Sequence, residues 1–138
     1  MPAKDFFHDA AKHALISDGW TITNDPLSLK WGERDLYVDF GAEKVMVAQK
    51  AGRLIAVEVK SFIGASEMRD LHNAVGQYQI YRSVMLRTHP QYTLYLAISN
   101  EVYEKLFLED VGSLVLEDEG INMVIFDDET EVIVKWIH

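Results

Sequence analysis

The chain has 138 residues, 49% of them hydrophobic, which is the size of one domain with a sizeable core and too short for two ordinary ones. Its cysteine count is 0, which excludes a thiol nucleophile, a Cys-ligated zinc and an iron–sulfur cluster, and fits a reducing compartment. The net charge of -9 argues against a protein that coats nucleic acid or an anionic membrane through its overall field. In chain order, Phe6, Phe7, Ala10, Ala14 and Leu15 recur at helical spacing over 5–17, with Gly19 as the stop. Trp20-Thr21-Ile22-Thr23 is a short β-rich run that ends at the turn signal Asn24-Asp25-Pro26. Residues 27–43 resist assignment, although Asp35-Leu36-Tyr37-Val38-Asp39-Phe40 alternates. Strands are expected at 44–49 and 54–60, joined by Lys50-Ala51-Gly52-Arg53 as a hairpin connection.

Ser66 is a good N-cap for a long helix over roughly 67–87, marked by Met68, Leu71, Val75, Tyr78 and Met85. Thr93–Ile98 is an almost unbroken apolar run, as expected of a central strand covered on both faces. A short helix over 101–108 and a terminal hairpin of 122–126 with 131–137 complete the pattern. The acids Glu117-Asp118-Glu119-Gly120 read as a solvated turn. The expected fold is α/β (α+β): helices on the faces of a mixed sheet.

Charge divides the chain. Residues 1–90 carry 11 basic and 11 acidic side chains, whereas 91–138 carry 2 basic ones, Lys105 and Lys135, and 11 acidic ones. The reading is a single domain over 1–138, with a core at about 5–98 and an acidic C-terminal extension at about 99–138. No run approaches the roughly 18 apolar residues of a membrane span, so a soluble cytoplasmic protein is expected.

The strand 54–60 breaks its own pattern. Ile55, Val57 and Val59 share one face, while Glu58 and Lys60 follow Leu54 and Ala56 on the other. A carboxylate and an ammonium at the end of an apolar strand suit phosphodiester hydrolysis. A hard divalent ion such as Mg2+ or Mn2+ is held by one or two carboxylates, and the lysine positions water or stabilises developing charge. Asp39, Glu43 and Asp35 are the upstream acids that could complete the pair. An edge ion pair of little energetic value is the plain alternative.

Asp39 with Glu58-Val59-Lys60 resembles the PD-(D/E)XK nuclease superfamily, although Val38 stands where a proline often precedes the acid. The resemblance implies a restriction-endonuclease-like αβββαβ core, with Asp39 and Glu58 as metal ligands and Lys60 as a catalytic residue. Gln77 and Tyr81, one turn apart on the long helix, resemble the Q-x-x-x-Y element of RecB-type members. By that analogy Gln77 orients Lys60 or the substrate phosphate, and Tyr81 supports the site. Lys50, Arg53, Arg69, Arg82 and Arg87 are candidates for tracking DNA phosphates, or else a solvated basic face.

Longer segments carry a second resemblance. They are Met1-Pro2-Ala3-Lys4-Asp5-Phe6-Phe7-His8, Asp18-Gly19-Trp20-Thr21-Ile22-Thr23, Asp35-Leu36-Tyr37-Val38-Asp39, Ala56-Val57-Glu58-Val59-Lys60-Ser61-Phe62, Gly76-Gln77-Tyr78 and Ile133-Val134-Lys135-Trp136-Ile137. End to end, the chain resembles the XisH family of controlling factors for excision of the fdxN element in cyanobacteria. That implies a part in a site-specific DNA rearrangement beside a separate recombinase, with a XisI-like protein partner. It leaves open whether this chain hydrolyses DNA or regulates by binding DNA or a partner on a nuclease-like scaffold. An oligomer is compatible with either reading.

Overall fold

The structure, a computed structural model, describes residues 5–44 and 52–138. Helix α1 (His8–Ser17) is followed by β1 (Thr21–Asn24), β2 (Leu27–Trp31), β3 (Arg34–Val38), β4 (Phe40–Lys44) and β5 (Arg53–Val59). Then come α2 (Glu67–Thr88), β6 (Tyr92–Ser99), α3 (Asn100–Val102) with a π-helical turn at Tyr103–Phe107, α4 (Val111–Glu119), β7 (Met123–Asp127) and β8 (Val132–Ile137). The main sheet runs β1-β4-β5-β6-β7-β8, with β2 and β3 as a separate hairpin. β5, β6 and β7 are parallel, and β1, β4 and β8 pair antiparallel at the flanks. From α1 to β6, the helices and main-sheet strands follow the expected order αβββαβ.

Two cores sandwich the sheet. Ala11, Ala14 and Leu15 of α1 pack on Phe40, Ile55, Val57, Val59 and Tyr95. Leu71, Ala74, Tyr78 and Met85 of α2 pack with Leu29 and Val38 on Ala56, Leu94, Leu96 and Ile98 from the other side. Leu94–Ser99 is buried on both faces because two parallel neighbours and both helical layers cover it. Each large aliphatic side chain so buried contributes ~1.5–3 kcal/mol. The Tyr78 hydroxyl joins three elements: it donates to the Leu94 carbonyl (3.2 Å) and accepts the Asn122 N–H (3.1 Å).

The structure departs from the sequence reading at four places. The α1 helix begins at His8, and the Asp5 carboxylate accepts the Phe7 N–H (2.9 Å) just ahead of it. The unassigned stretch 27–43 contains the β2–β3 hairpin, turning at Gly32 (φ 62°), and most of β4. The described part of the strand opposite β5 is Phe40–Lys44, and residues 45–51 lie outside the described residues. The acids 117–119 end α4, a helix with an Asp110 N-cap and Gly120 (φ 60°) at its C-terminus, rather than forming a turn. The acidic segment is also built into the sheet: β7 lies between β6 and β8, with Met123 to Phe126 buried. Among the described residues no helix is long and apolar enough to cross a membrane.

Candidate functional site

Glu58 is the next-to-last residue of β5, on the α2 side with Ala56, and is only 6% exposed. Its Oε1 lies 3.6 Å from Lys60 Nζ. Its Oε2 is buried with no hydrogen-bond partner among the described residues. Burial first, then the Asp39 charge, push this carboxyl up to about 8, against the opposing pull of Lys60 and the Asp39 backbone N–H.

Asp39 occupies the bend between β3 and β4. Val38 before it belongs to the α2 core and Phe40 after it to the α1 core, so the chain crosses from one face of the sheet to the other at this residue. Asp39 Oδ2 accepts the Val59 N–H at 2.7 Å, which places the acid at the end of β5. Oδ1 is 3.0 Å from His8 Nδ1. His8, 2% exposed in the apolar stripe of α1, also meets Asp25 Oδ1 through Nε2 at 2.9 Å. Carboxylates only accept, so both contacts form together only with the doubly protonated ring. The hydrogen bond to Asp39 accordingly raises the His8 pKa above its usual 6.5, against the effect of burial and with Asp25 adding to the rise. Lys12 Nζ closes the line at 2.7 Å from Asp25 Oδ2. For Asp25, burial is outweighed by Lys12 and His8, which hold its carboxyl below the usual value.

The other predicted residues divide into two groups. Tyr81 of α2 faces the acids: burial, then Glu58 and Asp39, push its phenol up to about 12. Gln77, one turn earlier, has a buried Oε1 with no partner among the described residues. Glu43 is elsewhere. Its backbone pairs with Leu54, roughly 13 Å along β5 from Glu58 at strand spacing, and its side chain lies outside the described residues. Asp35 pairs with Lys30 in the separate hairpin. Arg53 sits at the opposite end of β5, over the Trp20 ring at 5.9 Å and 3.3 Å from the Tyr95 hydroxyl. Arg82 donates to the Glu119 carbonyl at 3.0 Å and covers the Tyr78 ring at 5.1 Å. Arg87 donates to the Ser83 carbonyl within α2 (3.0 Å), and Arg69 is exposed in the first turn of α2. Lys50 lies outside the described residues.

His8, Asp25 and Asp5 are site residues that the sequence reading did not assign. The signal for His8 was a histidine at i with Ala11, Ala14 and Leu15 at i+3, i+6 and i+7, where a buried polar ring needs partners. Asp5 accepts from the Ser61 N–H at 3.0 Å and hydroxyl at 3.3 Å, fixing the loop after Lys60. Phe62 follows with φ 57°, a conformation that costs a non-glycine residue about 1–2 kcal/mol and is concentrated at functional sites. A cleft of about 180 Å³ opens there, lined by Asp5, Lys60, Ser61, Asp70 and Asn73.

Among the described residues no three His, Asp or Glu side chains form a metal-binding group. The candidate centre is a pair of carboxylates, which is the number magnesium ordinarily takes from protein. The buried Glu58 Oε2, unpartnered among the described residues, fits a hard divalent cation, and Asp39, whose oxygens accept from His8 and the Val59 N–H, would join it only through its remaining lone pairs.

The model of the family described as XisH protein matches residues 1–134. The chain belongs to the XisH family. This XisH protein superposes on the crystal structure of an XisH family protein from Nostoc punctiforme PCC 73102, with TM-score 0.88, 39% identity, and 97% of this chain and 100% of that one covered. It is also similar to the crystal structure of an fdxN element excision controlling factor protein from Anabaena variabilis (TM-score 0.85, 36% identity, 96% and 98% covered). Among curated proteins none matches it.

Proposed function

We propose that this XisH protein is a controlling factor for excision of a DNA element and that it acts as a metal-dependent DNA endonuclease of the PD-(D/E)XK type. The observation that carries the reading is the Glu58 carboxylate, buried beside Asp39 and Lys60 with one oxygen unpartnered among the described residues. An isolated buried carboxylate takes up a proton, whereas one facing a cation stays ionised. Glu58 and Asp39 would hold Mg2+ or Mn2+, which when bound activates water and neutralises charge on the phosphodiester. Lys60 would orient the attacking water and stabilise the charge that develops on the phosphate oxygens. Gln77 would orient Lys60 or the phosphate, and Tyr81 would support the acids from α2. The name of the Anabaena relative supports the excision role. DNA as substrate, a XisI-like partner, a separate recombinase and a cytoplasmic setting are parts of the same proposal.

One observation favours a second reading, regulation without catalysis. The described arginines Arg53 and Arg82 are engaged away from Glu58, and 91–138 carries 11 acids against 2 basic residues. A basic protein partner would then matter more than DNA.

A plasmid-nicking assay with Mg2+ or Mn2+, run with and without the partner, separates the two. The nuclease reading expects wild type to nick and Glu58→Ala and Lys60→Ala to lose about 100-fold or more. Nicking unchanged in Lys60→Ala would overturn it. Excision that survives Glu58→Ala in cells would establish the regulator.

A further inference from the structure

A second opening, independent of the chemistry at Glu58, lies between α2 and α4. It is a groove of about 290 Å³ whose walls are mainly apolar: Met68, Leu71, Val75 and Gly76 on one side, Val111 and Val115 on the other. Cross-links brace it. Gln79 Nε2 donates to Glu119 Oε2 at 2.7 Å, and Lys105 Nζ lies 3.5 Å from Glu67 Oε1. Met68 on α2 is 44% exposed, and Leu114, on the turn of α4 next to Val111, is 61% exposed.

Gly76 is the odd residue. It sits in the interior of a 22-residue helix, where glycine is less favourable than alanine. A Cβ added there would meet nothing within 4 Å, so this chain's own packing gives no reason for glycine. A glycine facing an open groove lets another backbone approach closely. The surroundings decide the sign of the visitor. Glu67, Glu109, Asp110, Glu117, Asp118 and Glu119 flank the groove on α2 and around α4. Lys105 is paired with Glu67 and Arg82 with the Glu119 carbonyl; Arg69, exposed beside Met68, and His72 on the groove wall leave the acids around α4 in excess. A second copy of the chain would bring two such acidic rims together.

We infer that the α2–α4 groove is a docking site for a basic amphipathic helix of another protein, its apolar stripe in the groove and its backbone close to Gly76. This is recognition of a helix in a groove, with complementary charge setting the partner.

The probes are two fluorescein-labelled helical peptides of about 18 residues, roughly 27 Å long, with one leucine stripe and either lysines or glutamates elsewhere. The lysine peptide should bind saturably at physiological salt and shift amide resonances of Gly76, Val111 and Val115, whereas the glutamate peptide should not. Gly76→Leu, which leaves charge unchanged, should weaken binding about tenfold or more. Gly76→Ala should raise the melting temperature while weakening binding. Three results would overturn the inference. They are equal binding of both peptides, unchanged affinity in Gly76→Leu, or a Gly76→Ala protein that melts lower than wild type. Self-association that Gly76→Leu abolishes would assign the groove to a second copy instead.

Discussion

Replacing Glu58 by glutamine keeps the shape of the side chain and removes its charge. In the folded chain burial and Asp39 push the Glu58 carboxyl up to about 8, whereas its ordinary value is 4.5. The sign follows from proton counting. Between these two values the folded state binds the proton that the unfolded state has released, so stability is complete below pH 4.5 and falls as pH rises to about 8. The loss is on the order of 3 kcal/mol at pH 7 and about 5 kcal/mol above pH 8. Glu58→Gln should escape it. For a chain of this length, about 3 kcal/mol corresponds to roughly 10 °C in melting temperature. Urea denaturation from pH 4 to 9 should therefore show wild type losing stability across this window, and the variant losing less and being the more stable at pH 8. Adding Mn2+ at pH 8 should raise the wild-type melting temperature and leave that of Glu58→Gln unchanged, because only an ionised Glu58 gains from the cation. A variant less stable than wild type at pH 8, or a parallel pH profile, would refute the argument that burial strains this carboxylate.

Other outcomes follow from the same contacts. His8→Ala should cost about 3 kcal/mol in urea denaturation at pH 6, because it leaves Asp39 and Asp25 facing each other without the ring between them. The His8 contribution has a raised pKa, so it is present below pH 6.5 and lost as pH rises through the folded value; the variant should lack that limb of the stability profile. Tyr78→Phe should cost about 1–3 kcal/mol by the same measurement, since the Leu94 carbonyl and Asn122 N–H both lose the hydroxyl. Gly112→Ala should cost about 1–3 kcal/mol, as the new Cβ would run into the Leu106 carbonyl and the Phe107 ring.

How much of this was legible depended on range. The strands β5 and β6 and the helix α2 were readable because long apolar runs and a Ser66 cap act locally. The β2–β3 hairpin was not, because the alternating run Asp35–Phe40 looks like one strand. In an uninterrupted strand Val38 and Phe40 would share a face, yet the bend at Asp39 sends them to opposite cores. Helix α4 was hidden by its acidic end, although the caps Asp110 and Gly120 bracket it. At the site, Glu58 and Lys60 stand out in the sequence because they share a strand face, whereas Asp39 is one of three upstream acids, with Glu43 and Asp35, and is favoured only by the nuclease-like pattern. The line through His8 was not legible, since its partners are 17 and 31 residues away and only the sheet brings them together.

The line Lys12–Asp25–His8–Asp39 also changes what an approaching polyanion meets. Two acids alternate with a lysine and a doubly protonated histidine, so their fields cancel over distances comparable to the Debye length of about 8 Å. Glu58 in its protonated form adds no charge. At the cleft itself Asp5 and Asp70 stand beside Lys60, so its lining carries a small negative balance. The larger excess of acids lies on α4 and at the turn between β7 and β8. A polyanion would therefore be repelled most strongly on the α4 side, and orientation on approach becomes a property of the charge distribution.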